Sequence, residues 1–166
     1  MKKLMFAALL VCVSVLPAMA DKVTTAETAE FKALIDKSAT AWSSLNPDNA
    51  AALYAKDADL VYYDLAPLKY TGWSEYDKGV RQVFAGFETL MLTPGSDLKV
   101  SRAGKVAWTT VTYHAAVKMK GTATPMELDA RQTLIWEKRD GKWLIVHEHI
   151  SAPLPPGPEA GAAKSE

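Results

Sequence analysis

One stretch near the end of the chain decides the fold class: Trp136-Glu137-Lys138-Arg139-Asp140-Gly141-Lys142-Trp143-Leu144-Ile145-Val146-His147-Glu148-His149-Ile150-Ser151. The Asp140-Gly141 pair lies between two runs of β-prone residues, which is the strongest short-range signal for a β-hairpin. A second turn, Ala103-Gly104-Lys105, separates two earlier β-prone runs. Strands joined by tight turns pair antiparallel, so the second half of the chain predicts an antiparallel sheet.

The segments before this sheet carry helical patterns. Thr24 and Glu27 fit a capping box that opens a long first helix with an apolar stripe. Asn46-Pro47 is typical of the start of a second helix, and Ser74 is predicted to cap a third helix. Helices followed by long antiparallel strands indicate an α+β fold. Strands are predicted at residues 59–64, 89–92, 98–102, 106–118, 127–138 and 143–151.

The first 20 residues have the layout of an export signal. Two lysines after Met1 precede an apolar run over residues 4–16, and Ala18-Met19-Ala20 forms an A-x-A cleavage site. We therefore expect residues 1–20 to be a signal peptide cleaved before Asp21, with a periplasmic or secreted mature protein. The apolar run is shorter than the roughly 20 residues of a membrane-spanning helix, so no membrane contact is expected after cleavage.

Composition limits the remaining possibilities. Hydrophobic residues make up 49% of the chain, which suits one packed domain, predicted over residues 21–154. The Pro-rich end, residues 155–166, is expected to be a flexible tail. The chain has 19 basic and 19 acidic residues, and this balance argues against nucleic-acid binding. The sequence contains no glycine-rich phosphate loop and no metalloprotease motif, so no cofactor and no metal is predicted.

The order of elements resembles the nuclear transport factor 2-like superfamily. The closing string, tryptophan, Asp-Gly turn, tryptophan and His-x-His-x-Ser, is similar to its SnoaL-like and calcium/calmodulin-dependent kinase II association-domain branches. The resemblance implies a cone-shaped, curved antiparallel sheet wrapped around a long N-terminal helix, with three helices. Its members include isomerases, dehydratases, epoxide hydrolases and assembly domains, so the fold alone leaves the function open.

The same resemblance indicates which strand face lines the pocket. Arginines of the kinase association domain would fall at Leu134 and Ile150, which implies a pocket face that also holds Gln132, Val146 and Glu148. Both arginine positions are apolar here. An anion-binding pocket is therefore not expected.

Four residues are candidate catalytic groups. Glu148 would lie as a lone carboxylate among apolar neighbours, where burial raises its pKa and suits it to acid or base work. Asp64, Tyr62 and His114 could complete an acid–base set like those of isomerases and dehydratases. The alternatives stay open. Glu148 could be a rim residue paired with a lysine or arginine, and Asp64 could end a strand or cap a turn. Tyr62 could be an ordinary strand residue, and His114 a hydrogen-bonded structural residue.

Strict alternation along the last strand defines a second face. It groups Trp143 with His147, His149 and Ser151, and Arg131 and Thr133 join them from the preceding strand. We expect a polar network or subunit interface on this convex side, with Trp143 as the aromatic anchor of a homodimer. His147 and His149 could hold a metal only with a third ligand, which is not evident.

Three functions remain open. The preferred one is an exported domain that binds a small apolar or amphipathic molecule between aromatic walls. The second is an isomerase, dehydratase or cyclase that uses a pocket carboxylate as general base, and the third is a homo-oligomerisation or interaction module. The aromatic wall is predicted to consist of Tyr62, Trp73, Trp108 and Trp136.

Overall fold

The computed structural model describes residues 21–154. The predicted signal peptide and the predicted tail lie outside these described residues. Helix α1, Thr25–Ser43, begins at the predicted capping box: the Thr24 hydroxyl accepts from the Glu27 amide, and the Glu27 carboxylate accepts from the Thr24 amide. One stripe of α1 is buried, including Phe31, Ile35 and Trp42.

The predicted second helix is instead a pair of 3₁₀ turns, Pro47–Asn49 and Ala51–Leu53. Asn46 caps the first turn as expected, by accepting a hydrogen bond from the Asp48 amide. The helix does not continue because Tyr54 is extended and the Ala55 amide donates to the Ile145 carbonyl on the last strand. Pairing with the sheet therefore overrides the local helical pattern.

Helix α2, Gly72–Phe84, starts earlier than Ser74, with Thr71 as its N-cap residue. The Glu75 carboxylate accepts from the Thr71 amide at 2.9 Å and satisfies the helix start. Gly72 has a φ of +68°, and a Cβ there would lie 2.9 Å from the Ala58 carbonyl oxygen. Only glycine fits this entry without strain.

No helix within residues 21–154 is long and apolar enough to cross a membrane.

Within residues 21–154 the sheet has seven strands and does not close into a barrel. Its order is β2-β1-β7-β6-β5-β3, and β4 also pairs with β5. All pairs are antiparallel except β1 with β7, which are parallel, so the sheet is mixed rather than purely antiparallel. The strands are β1 Val61–Tyr63, β2 Tyr70–Thr71, β3 Phe87–Pro94, β4 Lys99–Ala103, β5 Val106–Met119, β6 Met126–Arg139 and β7 Lys142–Ser151.

A β-bulge in β7 changes which side chains face inward. Trp136 of β6 pairs with Ile145, whereas Ile135 pairs with His147, so Val146 is the extra residue. The bulge puts Trp143 and Ile145 on the same concave face as Glu148. Strict alternation had assigned Trp143 to the convex face, and this prediction is wrong.

Aromatic packing fills the concave face beside the start of α1. The Phe31 ring lies 5.7 Å from Trp136 and 5.1 Å from Trp143, centroid to centroid. The turn that brings these tryptophans together has positive φ at both Asp140 and Gly141, as the Asp-Gly signal predicts. The α+β fold predicted from the sequence is therefore confirmed, with α1 seated on a curved sheet.

Candidate active-site cavity

A cavity of about 260 Å³ lies beyond this packed region, between α1, α2 and the concave face of the sheet. Its wall is mostly apolar, with side chains such as Val80, Phe84, Leu92 and Val117. A cavity of this kind, apolar with a few polar groups, is typical of small-molecule sites. The polar residues of the wall are Ser38, Asp64, Tyr76, Tyr113, Gln132 and Glu148.

Glu148 is the central polar group of the cavity. Its side chain is 1% exposed, and three donors hold its carboxylate. The hydroxyls of Tyr54 and Tyr76 donate to Oε2 at 2.6 and 3.1 Å. The Gln132 amide donates to Oε1 at 2.7 Å. A buried carboxylate with several donors is held in one orientation, and Oε1 keeps a lone pair free for a further donor.

The pKa of Glu148 is raised from its ordinary value to about 7, mainly by burial and also by the nearby charge of Asp64, and the three hydrogen-bond donors act in the lowering direction. The carboxyl group therefore exchanges its proton near neutral pH. This is the property that a general acid or base needs, and it arises here because apolar walls surround the group.

Tyr54 and Tyr76 were not among the predicted site residues. Tyr54 follows the second 3₁₀ turn and also accepts from the Trp42 indole N–H at 3.1 Å, and Tyr76 lies on the buried side of α2. Burial and the charge of Glu148 raise the pKa of both hydroxyls well above the ordinary value, so both remain donors. The sequence signal that could have identified them is a tyrosine on the buried side of a helical segment, because its buried hydroxyl needs a hydrogen-bond partner.

Asp64 lies at the rim of the same cavity. It follows β1, is half-buried, and accepts a hydrogen bond from the Leu65 amide at 2.7 Å. Burial raises its pKa as well. The structure therefore brings Asp64 and Glu148 to one cavity from the two strands that pair in parallel.

Three oxygen atoms of the cavity wall have no hydrogen-bond partner within residues 21–154. They are the Ser38 hydroxyl, the Tyr113 hydroxyl and Oε1 of Gln132. All three side chains are at least nine-tenths buried. Buried polar atoms are almost always paired, so these three oxygens are unusual and remain available for hydrogen bonds inside the cavity.

Two predicted catalytic residues do not join this site. Tyr62 is fully buried, but its hydroxyl donates to the Ala55 carbonyl at 3.4 Å, and its ring stacks on Tyr76. His114 lies on the convex face, where Asp129 and Glu127 contact its two ring nitrogens at 2.9 and 2.8 Å. These contacts raise the pKa of His114. Alternation along β5 explains this position, since Tyr113 faces inward.

The predicted ligand-binding residues divide into three groups. Gln132 and Ile150 line the cavity. Leu134 and Trp136 are buried in the packed core, and Trp73 packs against Tyr54 beside it, so none of these three forms the cavity wall. Trp108 is 39% exposed on the convex face, and its prediction as a pocket wall is wrong because its neighbour Ala107 faces inward.

The residues predicted for a polar network lie on the convex face, with the exception of Trp143. Within the part of the chain that the structure describes, no hydrogen bond joins these side chains to one another. His147 instead bonds the Val61 carbonyl at 2.7 Å, and both histidine rings pack edge-on against Tyr63. Trp143 is 6% exposed and cannot anchor a dimer. The other convex-face residues are Arg131, Thr133, His149 and Ser151.

Comparison with known proteins identifies the family. A model of the SnoaL-like domain matches residues 31–155. The chain belongs to the SnoaL-like domain family. The match covers α1 from Phe31 onward, α2 and every strand of this SnoaL-like domain, so the resemblance that the sequence suggested is confirmed.

Solved structures agree with this assignment. A nuclear transport factor 2-like superfamily protein from Salmonella enterica has a TM-score of 0.71 at 17% identity, over 81% of this chain and 96% of the other. A candidate scytalone dehydratase from Novosphingobium aromaticivorans has a TM-score of 0.69 at 15% identity, over 78% and 85%. A candidate calcium/calmodulin-dependent protein kinase II association domain from Xanthomonas campestris has a TM-score of 0.60 at 24% identity, over 86% of this chain and 100% of the other. These likenesses establish the fold of the SnoaL-like domain.

Proposed function

We propose that this SnoaL-like domain binds a small, largely apolar molecule in its cavity, with Glu148 as the polar anchor. The observation that carries the proposal is the combination of an apolar wall with three buried oxygens that have no partner within residues 21–154. A wall built only for stability would leave these positions apolar, because an unpaired buried hydroxyl or amide destabilises the fold.

The residues that hold Glu148 support the same function. Tyr54, Tyr76 and Gln132 come from three separate elements and fix the carboxylate from three directions. Such fixation prepares the group for a ligand before the ligand arrives, which reduces the entropy lost on binding. The predicted signal peptide extends the proposal: the ligand would be met in the periplasm or outside the cell.

A matched pair of substitutions on β5 tests the proposal. Ala115 faces the cavity and Ala116, its neighbour, faces the opposite side of the sheet. We expect isothermal titration calorimetry with 2-naphthylmethanol to give binding to the wild type. Ala115→Trp should weaken that binding at least tenfold because the indole fills the cavity, and Ala116→Trp should not change it.

Two results would contradict cavity binding. One is that the wild type shows no heat of binding with millimolar 2-naphthylmethanol and none with 2-naphthylmethylamine, an amine of the same shape. The other is equal affinity in a folded Ala115→Trp variant, which would locate the molecule elsewhere on the surface. Circular dichroism of each variant provides the check on folding.

Acid–base catalysis is a second candidate function, favoured by one observation: the pKa of Glu148 is raised to about 7 by burial in the cavity. A carboxylate in this state removes a proton next to a carbonyl, and the Tyr113 hydroxyl is free within the cavity to donate to the oxygen of the resulting enolate. The candidate scytalone dehydratase among the structural neighbours shares the fold that would carry this chemistry.

Deuterium exchange into an added ketone distinguishes catalysis from simple binding. We expect an enzyme to exchange the α-hydrogens of 2-tetralone, an apolar enolisable ketone, for deuterium in D₂O at least a hundredfold faster than buffer does. Glu148→Gln should remove this rate enhancement, whereas Glu127→Gln on the convex face should keep it. Exchange at the buffer rate with bound 2-tetralone would favour a binding protein.

A further inference from the structure

The charges of the cavity wall point to the kind of ligand. Two carboxylates, Asp64 and Glu148, belong to the wall, and no lysine, arginine or histidine of the described chain lines it. Each carboxylate raises the free energy of placing an anion nearby, and the described residues of the wall include no positively charged side chain to offset that repulsion. A cation in the cavity would instead be attracted by both groups.

The unpaired oxygens agree with this conclusion. Gln132 turns its amide nitrogen towards Glu148, so its Oε1 remains as an acceptor that only a donor can satisfy. The hydroxyl oxygens of Ser38 and Tyr113 also accept hydrogen bonds, and Glu148 has a free lone pair on Oε1. A ligand group that only donates fits this set, and an alkylammonium group has up to three N–H donors and no acceptor.

Aromatic rings complete the wall. Trp42, Tyr76, Phe84 and Tyr113 all line the cavity, and the Trp42 and Tyr76 rings lie 5.6 Å apart. Aromatic faces attract cations through their quadrupole, most strongly where water is excluded. They also contact the apolar part of an amine and remove it from water, which favours binding. Carboxylate, acceptor oxygens and aromatic faces therefore favour one chemical class.

We propose that the cavity ligand is a protonated amine with an otherwise apolar body. Its ammonium group binds Glu148 and the acceptor oxygens of Gln132, Ser38 or Tyr113, and its apolar part contacts the aromatic and aliphatic wall. The cavity volume of about 260 Å³ limits the ligand to a small molecule. This inference rests on the proposed binding function and specifies the ligand class for the same site.

Two probes of equal shape test the inference. 2-Naphthylmethylamine is protonated at neutral pH, and 2-naphthylmethanol has the same ring system with a neutral hydroxyl. We expect calorimetry at pH 8 to show the amine binding at least tenfold more tightly than the alcohol. Glu148→Gln should reduce the amine affinity at least tenfold and leave the alcohol affinity within threefold. Glu127→Gln, the same change on the exposed convex face, should alter neither.

The possible outcomes are distinguishable. Equal affinities for amine and alcohol in the wild type would overturn the amine inference and leave cavity binding intact. A tenfold preference that survives in folded Glu148→Gln would also overturn it, because the cation would then be recognised elsewhere. Failure of both probes to bind would overturn the proposed binding function itself. The preference in the wild type needs no variant, so a misfolded variant does not weaken the test.

Discussion

The concave face of the sheet is packed at one end and hollow at the other, and both ends lie along the same strand. Before the bulge at Val146, Trp143 and Ile145 pack in the core that contains Phe31. After it, Glu148 and Ile150 face the cavity. Side chains of one half maximise burial, whereas those of the other leave space and keep a carboxylate out of water. The residues that stabilise the fold and the residues of the proposed binding site thus lie in neighbouring segments of one strand.

The packed half should give the largest effect on stability. Trp136 is fully buried, contacts Phe31 and donates its indole N–H to Thr109. We expect Trp136→Ala to lower the free energy of unfolding by about 3–5 kcal/mol, since it leaves a large cavity. Urea denaturation measures the change. Trp108→Ala on the convex face is the control and should cost about 1 kcal/mol or less. Similar losses for both would mean that the two faces do not differ in packing.

The cavity end of the sheet should make the free energy of unfolding depend on pH. The direction should be opposite to that of a carboxylate in an ordinary ion pair, which stabilises the fold as the pH rises. The pKa of Glu148 is about 7 in the folded state against an ordinary 4.5. Because the folded state holds the proton of Glu148 more tightly than the unfolded state does, proton binding stabilises the fold. This contribution to the free energy of unfolding is complete below pH 4.5 and is lost as the pH rises through 7. We expect wild-type stability to fall, relative to Glu148→Gln, by on the order of 3 kcal/mol between pH 4.5 and 8.

Urea denaturation of both proteins at several pH values measures this difference. Glu148→Gln can keep its contacts, because a rotated Gln132 amide would accept from the new side chain while Tyr54 and Tyr76 still donate. Asp64 shifts in the same direction and is common to both proteins, so it largely cancels. A difference that stays level across this range would show that Glu148 is not held in an apolar environment.

Two tyrosines near Glu148 should differ in how much their hydroxyl groups stabilise the fold. The Tyr54 hydroxyl donates to Glu148 and accepts from Trp42, whereas the Tyr113 hydroxyl has no partner within residues 21–154. Tyr54→Phe should therefore cost about 2 kcal/mol at pH 8, the value of a hydrogen bond to a charged group. Tyr113→Phe should lower the free energy of unfolding by no more than about 0.5 kcal/mol, or increase it, because no hydrogen bond is lost. A large loss with Tyr113→Phe would reveal a structural role for its hydroxyl.

Local signals predicted most of the elements correctly. The capping box at Thr24 and the Asp140-Gly141 turn depend on neighbouring residues alone, so the sequence contains all the information that fixes them. The predicted second helix differs because its outcome depends on a hydrogen bond from Ala55 to Ile145, far along the chain. Sequence pattern measures local preference, and this distant partner outweighs it.

The candidate site was predicted in part for the same reason. Glu148, Asp64 and Gln132 were proposed as pocket residues, and the structure brings them to one cavity. Tyr54 and Tyr76 were missed because their sequence context marks them only as apolar stripe positions. His114 and Trp108 were assigned to the pocket although alternation along β5 left both faces open. Period-two patterns pair residues on a face but do not say which face is inside.

Turn chemistry, capping and hydrophobic period are local properties, so the amino-acid sequence alone was enough to predict the α+β class, the hairpin turns and every described strand except the two-residue β2. The inward direction of each strand, the bulge at Val146 and the contacts of Glu148 are instead properties of the tertiary structure. They depend on how the strands and helices of residues 21–154 pack together. The chemistry of the cavity follows from that packing, since burial, rather than the glutamate alone, raises the pKa of Glu148 towards neutrality.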